Sequence, residues 1–310
     1  MAINPLDFMQ RHEERDTAGV LPQSLAGLPA AVAHVPDAVE TLVVPVDGSR
    51  LSRSAAAVAG PLACRLDAEL HLLSTVPTAD QVEARLSELA TIEVACGRVS
   101  RSVAVDPDPA GVIHEAVDRC PGAVACMATH GRGHSAALVG SVATAVVARS
   151  RHPVLLVCPL VDRRPAGDGV LACVDDGPDA ALVVSWALRW AELLGESVTV
   201  VTVAERAGGP IGARPIRRRF GPEGDVDAFL DAVVQPARYE GHRLETLALY
   251  DPISPSCGLY GHLREHPATL VVAGSRAPTG LAHLVFGSVA GSLVRHSPSP
   301  VLILPASGMP

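Results

Sequence analysis

"CMATHGRGHSAALVGSVATAVVARSRHPVLLV", residues 126–157, runs from an apolar segment into a glycine-rich loop, through Gly140-Ser141 into an alanine- and valine-rich helical stretch, and past His152-Pro153 into a second apolar segment. The order is strand, loop, helix, strand. A loop that leaves a strand and opens a helix presents unpaired N–H groups and the positive end of the helix dipole, a combination that attracts phosphate. Glycines let the backbone approach closely and a serine hydroxyl adds a donor.

The same passage occurs twice. Residues 271–304, "VVAGSRAPTGLAHLVFGSVAGSLVRHSPSPVLIL", align without a gap from Gly287 onto the stretch that begins at Gly140. Upstream, "TLVVPVDGS" (41–49) matches "GVLACVDDG" (169–177), each an apolar run closed by aspartate and then glycine. Helical stretches 51–66 and 179–195 follow, then strands "ELHLLSTV" and "SVTVVTVA", then strands stopped at Asp106-Pro107 and Asp251-Pro252, a dipeptide that favours turns. Each half therefore reads β-α-β-α-β-α-β-α-β. Right-handed crossovers turn that order into a doubly wound parallel sheet of five strands.

The expected architecture is two Rossmann-like α/β domains arranged as a pseudo-dimer, with an N-terminal extension over 1–38, domain 1 over 39–160, a linker over 161–168 and domain 2 over 169–310. The second half carries an arginine-rich insertion at about 207–227, aperiodic and rich in Gly and Pro, which reads as a mobile loop. Gly60-Pro61 is expected to kink or end the first helix. In such sheets ligands bind at the carboxyl ends of strands where the winding reverses, which brings the aspartate after the first strand beside the loop after the fourth. Two equivalent clefts follow.

Composition narrows the classes. The chain is 310 residues long, 48% hydrophobic and 3% aromatic, so its cores are built from Val, Leu and Ala, as in buried parallel sheets. A net charge of -8 argues against a nucleic-acid partner. The seven cysteines include no C-x-x-C pair and read as reduced. No apolar run reaches the roughly 18 residues of a membrane span, and a cytoplasmic location is expected.

"VPVDGS", "ATHGRG" and the two "GSVA…PVL" endings make the chain resemble a tandem universal stress protein from about 39 to 306. Nucleotide-binding members of that family carry G-x-x-G-x9-G-[S/T] and bind ATP. The resemblance implies that Pro45, Asp47 and Thr75 meet the adenosine in the first half, and Gly131, Gly140, Ser141 and Val142 the phosphates. In the second half it implies Asp175, Val203, Gly274, Gly287, Ser288 and Val289. It also implies that "PVLLV" and "PVLIL" lie at the contact between halves. Both copies depart from the motif: Ala128 replaces the first glycine and eight residues separate Gly131 from Gly140, while Ala277-Pro278 replaces the second glycine of the other copy.

The expected function is an ATP-binding regulator of stress response without catalysis, Mg²⁺ entering only with the nucleotide, and with an unidentified protein partner; self-association into a homo-oligomer is compatible with it. The alternative is a nucleotide-free scaffold of the same fold, in which Gly140 and Gly287 serve helix–sheet packing and Ser141 and Ser288 cap helices. His130 reads as a loop donor, and Arg217, Arg218 and Arg219 as a solvated loop. His262 and His266 share one helical face, a spacing metals use, but no third ligand stands nearby. They read as a solvated face ending at Pro267, and neither a metal site nor a catalytic residue is expected.

Overall fold

Alternate residues along every strand point to opposite faces, and this period of two builds the protein. The structure is a computed structural model that describes residues 37–130, 139–161, 167–205, 224–251, 253–275 and 286–305. Most of the N-terminal extension, Gly131, residues 162–166 of the linker, residues 206–223 with the arginine run, and Ala277-Pro278 lie outside the described residues.

The first half comprises β1 (Thr41–Pro45), α1 (Arg50–Arg65), β2 (Glu69–Val76), a short 3-10 turn (Ala79–Gln81), α2 (Val82–Ala90), β3 (Val99–Val105), α3 (Pro109–Arg119), β4 (Ala123–Ala128), α4 (Ser141–Arg149) and β5 (Val154–Val157). The second comprises β6 (Val170–Cys173), α5 (Ala180–Leu194), β7 (Val198–Glu205), α6 (Gly224–Tyr239), β8 (Leu244–Asp251), α7 (Pro255–Glu265), β9 (Leu270–Gly274), α8 (Ser288–His296) and β10 (Val301–Leu304). The strands form one ten-stranded sheet in the order β3-β2-β1-β4-β5-β10-β9-β6-β7-β8. Each half is a parallel sheet ordered 3-2-1-4-5, the doubly wound arrangement expected. The described residues all fall within one compact unit.

The halves join where β5 and β10 pair antiparallel, Leu155 facing Leu302. Both leucines are fully buried. Had this edge been left open, its unpaired N–H and C=O groups would template aggregation, so each half covers the edge of the other. The contact implied for "PVLLV" and "PVLIL" is therefore present.

Leu42, Val44, Leu70, Leu72, Val170 and Ala172 pack on one face against α1 and α5, while Val43, Leu73, Leu171 and Val201 pack on the other against α3, α4, α7 and α8. Two apolar layers thus sandwich the sheet.

Two expectations need correction. α1 continues through Gly60 and Pro61 to Arg65. Pro61 removes one helical hydrogen bond, but Ala55, Ala56, Ala59, Leu62 and Ala63 are buried along one stripe, and that packing outweighs the loss. Gly60 sits where a Cβ would come within 3.1 Å of the Ala95 backbone, so its role is close approach. In addition, the last residues of the supposed insertion, 224–227, belong to α6.

Candidate functional site

The winding of the first half reverses between β1 and β4, and a cleft of about 400 Å³ opens there at the carboxyl ends of the strands. The ends of β1 and β2 supply Pro45, Asp47 and Thr75; α2 supplies Arg85; the end of β4 supplies Ala128, Thr129 and His130; the start of α4 supplies Gly140, Ser141 and Val142. Every implied first-half residue within the described chain lines this one cleft.

Local hydrogen bonds shape it. The Val46 N–H donates to the Leu73 carbonyl at 2.7 Å, and the Ser74 hydroxyl donates to the Val46 carbonyl at 2.7 Å, locking the ends of β1 and β2 together. Beyond them Gly48 takes φ +83°, which turns the chain so that the Ser49 N–H donates to Asp47 Oδ1 at 2.9 Å. Ser49 then caps α1, accepting from the Ser52 N–H. Asp47 is held by its own turn with its side chain at the mouth of the cleft.

On the opposite wall the Thr129 N–H donates to the Val157 carbonyl at 3.0 Å, and the Gly140 N–H returns to the Thr129 carbonyl at 2.7 Å. That bond closes the base of the loop and aims the start of α4 at the cleft. Gly140 is the N-cap with φ -60° and ψ 149°, an extended geometry open to any residue, and no side chain caps α4. No acidic residue occupies the first turn of α1, α3 or α4. The first N–H groups of α4 thus face the cleft with no carboxylate of their own turn competing for them, which favours an anion. His130 is buried, its Nδ1 2.7 Å from the Thr129 hydroxyl.

The second half reproduces this frame. Val174 N–H donates to the Val201 carbonyl, Gly177 N–H to Asp175 Oδ1 at 2.8 Å, and Ser275 N–H to the Leu304 carbonyl at 2.8 Å. Gly287 is the N-cap of α8, again extended, Ser288 is its exposed first residue and Val289 is half-buried beside it. Val203 departs from its counterpart: Thr75 lines a cleft, whereas Val203 is buried beneath α7, where a Cβ on Gly258 would come within 3.0 Å of its Cγ1. Gly274 ends β9 outside the positive-φ region, and an added Cβ would meet only ordinary contacts at 3.8 Å. The equivalent Ala128 therefore fits its strand end without strain.

Arg85 escaped sequence reasoning. It sits one turn into α2 with its side chain 19% exposed and paired to Glu88 at 2.7 Å, and a polar residue on an amphipathic helix carries no signal that it borders a cleft. Ser74, Pro109 and Ile113 were likewise unread; the polar pair Ser74-Thr75 interrupting an apolar strand was the available clue. Among the described residues no three His, Cys, Asp or Glu side chains converge on a metal position, and no helix is long and apolar enough to cross a membrane.

Fold and cleft together define a tandem Rossmann-like α/β protein with a strand-end binding crevice. The sequence pattern of the universal stress protein family matches residues 38–157 and 254–305, and the chain belongs to that family. Among solved structures, a universal stress protein from Archaeoglobus fulgidus DSM 4304 is 19% identical over 86% of this chain and 98% of its own, with a TM-score of 0.58. A putative universal stress protein from Pseudomonas aeruginosa UCBPP-PA14 is 19% identical over 87% and 94%, with a TM-score of 0.57. A universal stress protein from Archaeoglobus fulgidus, solved in complex with dAMP, is 24% identical over 44% and 96%, with a TM-score of 0.34. No curated protein matches the chain.

Proposed function

We propose that the first half binds an adenine nucleotide, ATP with its own Mg²⁺, and that occupancy regulates the contacts this protein makes in a stress response. The observation that carries the proposal is the cleft of about 400 Å³ joining the Asp47 carboxylate to the open N-terminus of α4. Its size suits a small ligand. Asp47 accepts hydrogen bonds from a ribose or base at one end; the N–H groups of Ser141 and Val142 receive phosphate at the other.

The proposal includes no catalysis. Asp47 is the one carboxylate among the described lining residues, so the cleft provides no carboxylate pair to fix a metal against a transferring phosphoryl group. The Thr129–His130 pair serves to position the loop.

Isothermal titration of the nucleotide-stripped full chain with Mg-ATP tests this. About one ATP per chain is expected, with loss in Ser141→Asp, which places an anion where the phosphate would sit while favouring the helix dipole. Asp47→Ala should weaken binding about 10- to 100-fold, the range for a charged hydrogen bond. No heat up to millimolar ATP from folded protein sinks the proposal and leaves the nucleotide-free scaffold, in which the departures at Ala128 and Ala277 mark a lost ligand.

A further inference from the structure

A second cleft, of about 470 Å³, lies at the other end of the sheet, among the amino ends of the second-half strands and the last turn of α7. Its lining includes two imidazoles, His262 and His266, and three carboxylates, Asp168, Glu245 and Glu265, with no Lys or Arg. Sequence periodicity reads the histidines as a solvated face. In the fold His262 is half-buried and both rings border this acidic recess.

We propose that His262 and His266 form a two-imidazole site for a borderline divalent transition metal, Zn²⁺ first among them. The ring centroids are 5.0 Å apart with the planes inclined by 36°. Zn–N bonds of about 2.0–2.1 Å at a roughly tetrahedral angle place the centroids of two ligating imidazoles about 5 Å apart. The observed separation is the one a chelating pair requires. The backbone holds the pair in register: α7 ends at Glu265, and the His266 N–H still donates to the His262 carbonyl at 2.8 Å.

Ligand chemistry selects the ion. Imidazole suits Zn²⁺, Ni²⁺ and Cu²⁺, whereas Mg²⁺ and Ca²⁺ require sets of oxygen ligands. The three carboxylates, uncompensated by any cationic lining residue, concentrate a dication in the recess. Since no three donors converge among the described residues, water completes the coordination shell and the site is a weak one. Bound metal would tie the last turn of α7 to the segment that leads into β9.

The test uses the full chain stripped with a chelator and titrated with ZnCl₂ and, separately, NiCl₂ by calorimetry, with thermal midpoints recorded with and without metal. A saturable site in the wild type is expected, weakened at least 10-fold in His266→Asn and missing in the His262→Asn/His266→Asn double variant, together with a metal-dependent rise in midpoint that the double variant lacks. His266 is exposed, so the single variant keeps its metal-free midpoint and remains informative should the double variant unfold. No binding at millimolar metal, or binding unchanged in the variants, overturns the proposal. Mg-ATP binding should be indifferent to both substitutions, which separates this site from the first-half cleft.

Discussion

Glu196, at the turn between α5 and β7, gathers contacts from three parts of the chain. Arg65 Nη2 lies 2.6 Å from Oε1 and 2.6 Å from the Leu194 carbonyl, the Gly169 N–H donates to Oε2 at 2.9 Å, and the Thr269 hydroxyl lies 3.2 Å from Oε1. Thr269 also reaches the Gly167 carbonyl at 2.7 Å; one proton cannot serve both, and the shorter contact takes it. The Arg65 side chain is 40% exposed, so its ion pair contributes at most about 1 kcal/mol. Gly169 is buried, and its N–H on a carboxylate is worth about 1.5–3 kcal/mol. Glu196→Ala should therefore cost about 2–4 kcal/mol and Arg65→Ala about 1 kcal/mol or less. Burial alone would raise the Glu196 carboxyl, but Arg65 and the Gly169 N–H hold it below its ordinary 4.5. The ionised form is thus favoured by folding, its contribution is complete above that value, and it is lost as pH falls through the folded one. Urea unfolding at pH 7 and again below pH 4 reads both effects. Were Arg65→Ala as costly as Glu196→Ala, or Glu196→Ala and wild type equally separated at low pH, the ranking of the backbone bond over the ion pair would be wrong.

Three further outcomes are expected. Gly274→Ala should leave stability within about 1 kcal/mol, whereas Gly122→Ala, at φ +71° with its Cβ 2.9 Å from the Ala38 carbonyl oxygen, should cost more than that; thermal unfolding compares the two. His114, on α3, faces α4, where burial lowers its pKa against the opposing pull of Asp118, the Ala145 backbone and Asp108, with Arg149 lowering it further. The unfolded chain then takes the proton first, so stability falls as pH drops below about 6.5 towards the folded value; His114→Gln should flatten this slope, leaving the part due to His71 and His262, both also lowered first by burial. Burial pushes the thiols of Cys126 and Cys173 up to about 12 and that of Cys158 to about 11, so a thiol reagent at pH 8 should modify exposed Cys64, Cys120 and Cys257 in the native protein and reach those three only after unfolding, as peptide mapping would show.

Much of the fold was legible because its cues are local. Short apolar runs such as Leu42–Val44 and Val154–Val157, bounded by turn signals, read as buried strands, and the repeat of Gly140-Ser141 at Gly287-Ser288 marked the equivalence of the halves. Position Pro61 misled because propensity is local while the alanine stripe of α1 gains its energy from tertiary packing. For the first-half cleft, Asp47 and Gly140-Ser141 were readable since turns and helix starts have sequence signatures. Arg85 was not, because facing a cleft is a property of how α2 sits on the sheet. His262 and His266 were readable as a pair on one helical face, but the recess they border was not, because it is made with strands distant in sequence.

The antiparallel seam at Leu155 and Leu302 has an evolutionary consequence. In an assembly of two identical chains, every substitution lands in both crevices at once, and neither can lose its ligand or change it without the other. Here the two copies share one sheet but are written separately, so each can mutate alone. Ala128 stands in one copy and Ala277-Pro278 in the other, and Thr75 faces a cleft where Val203 is buried under α7. Fusion has freed the halves to diverge while each still shields the edge strand of its twin.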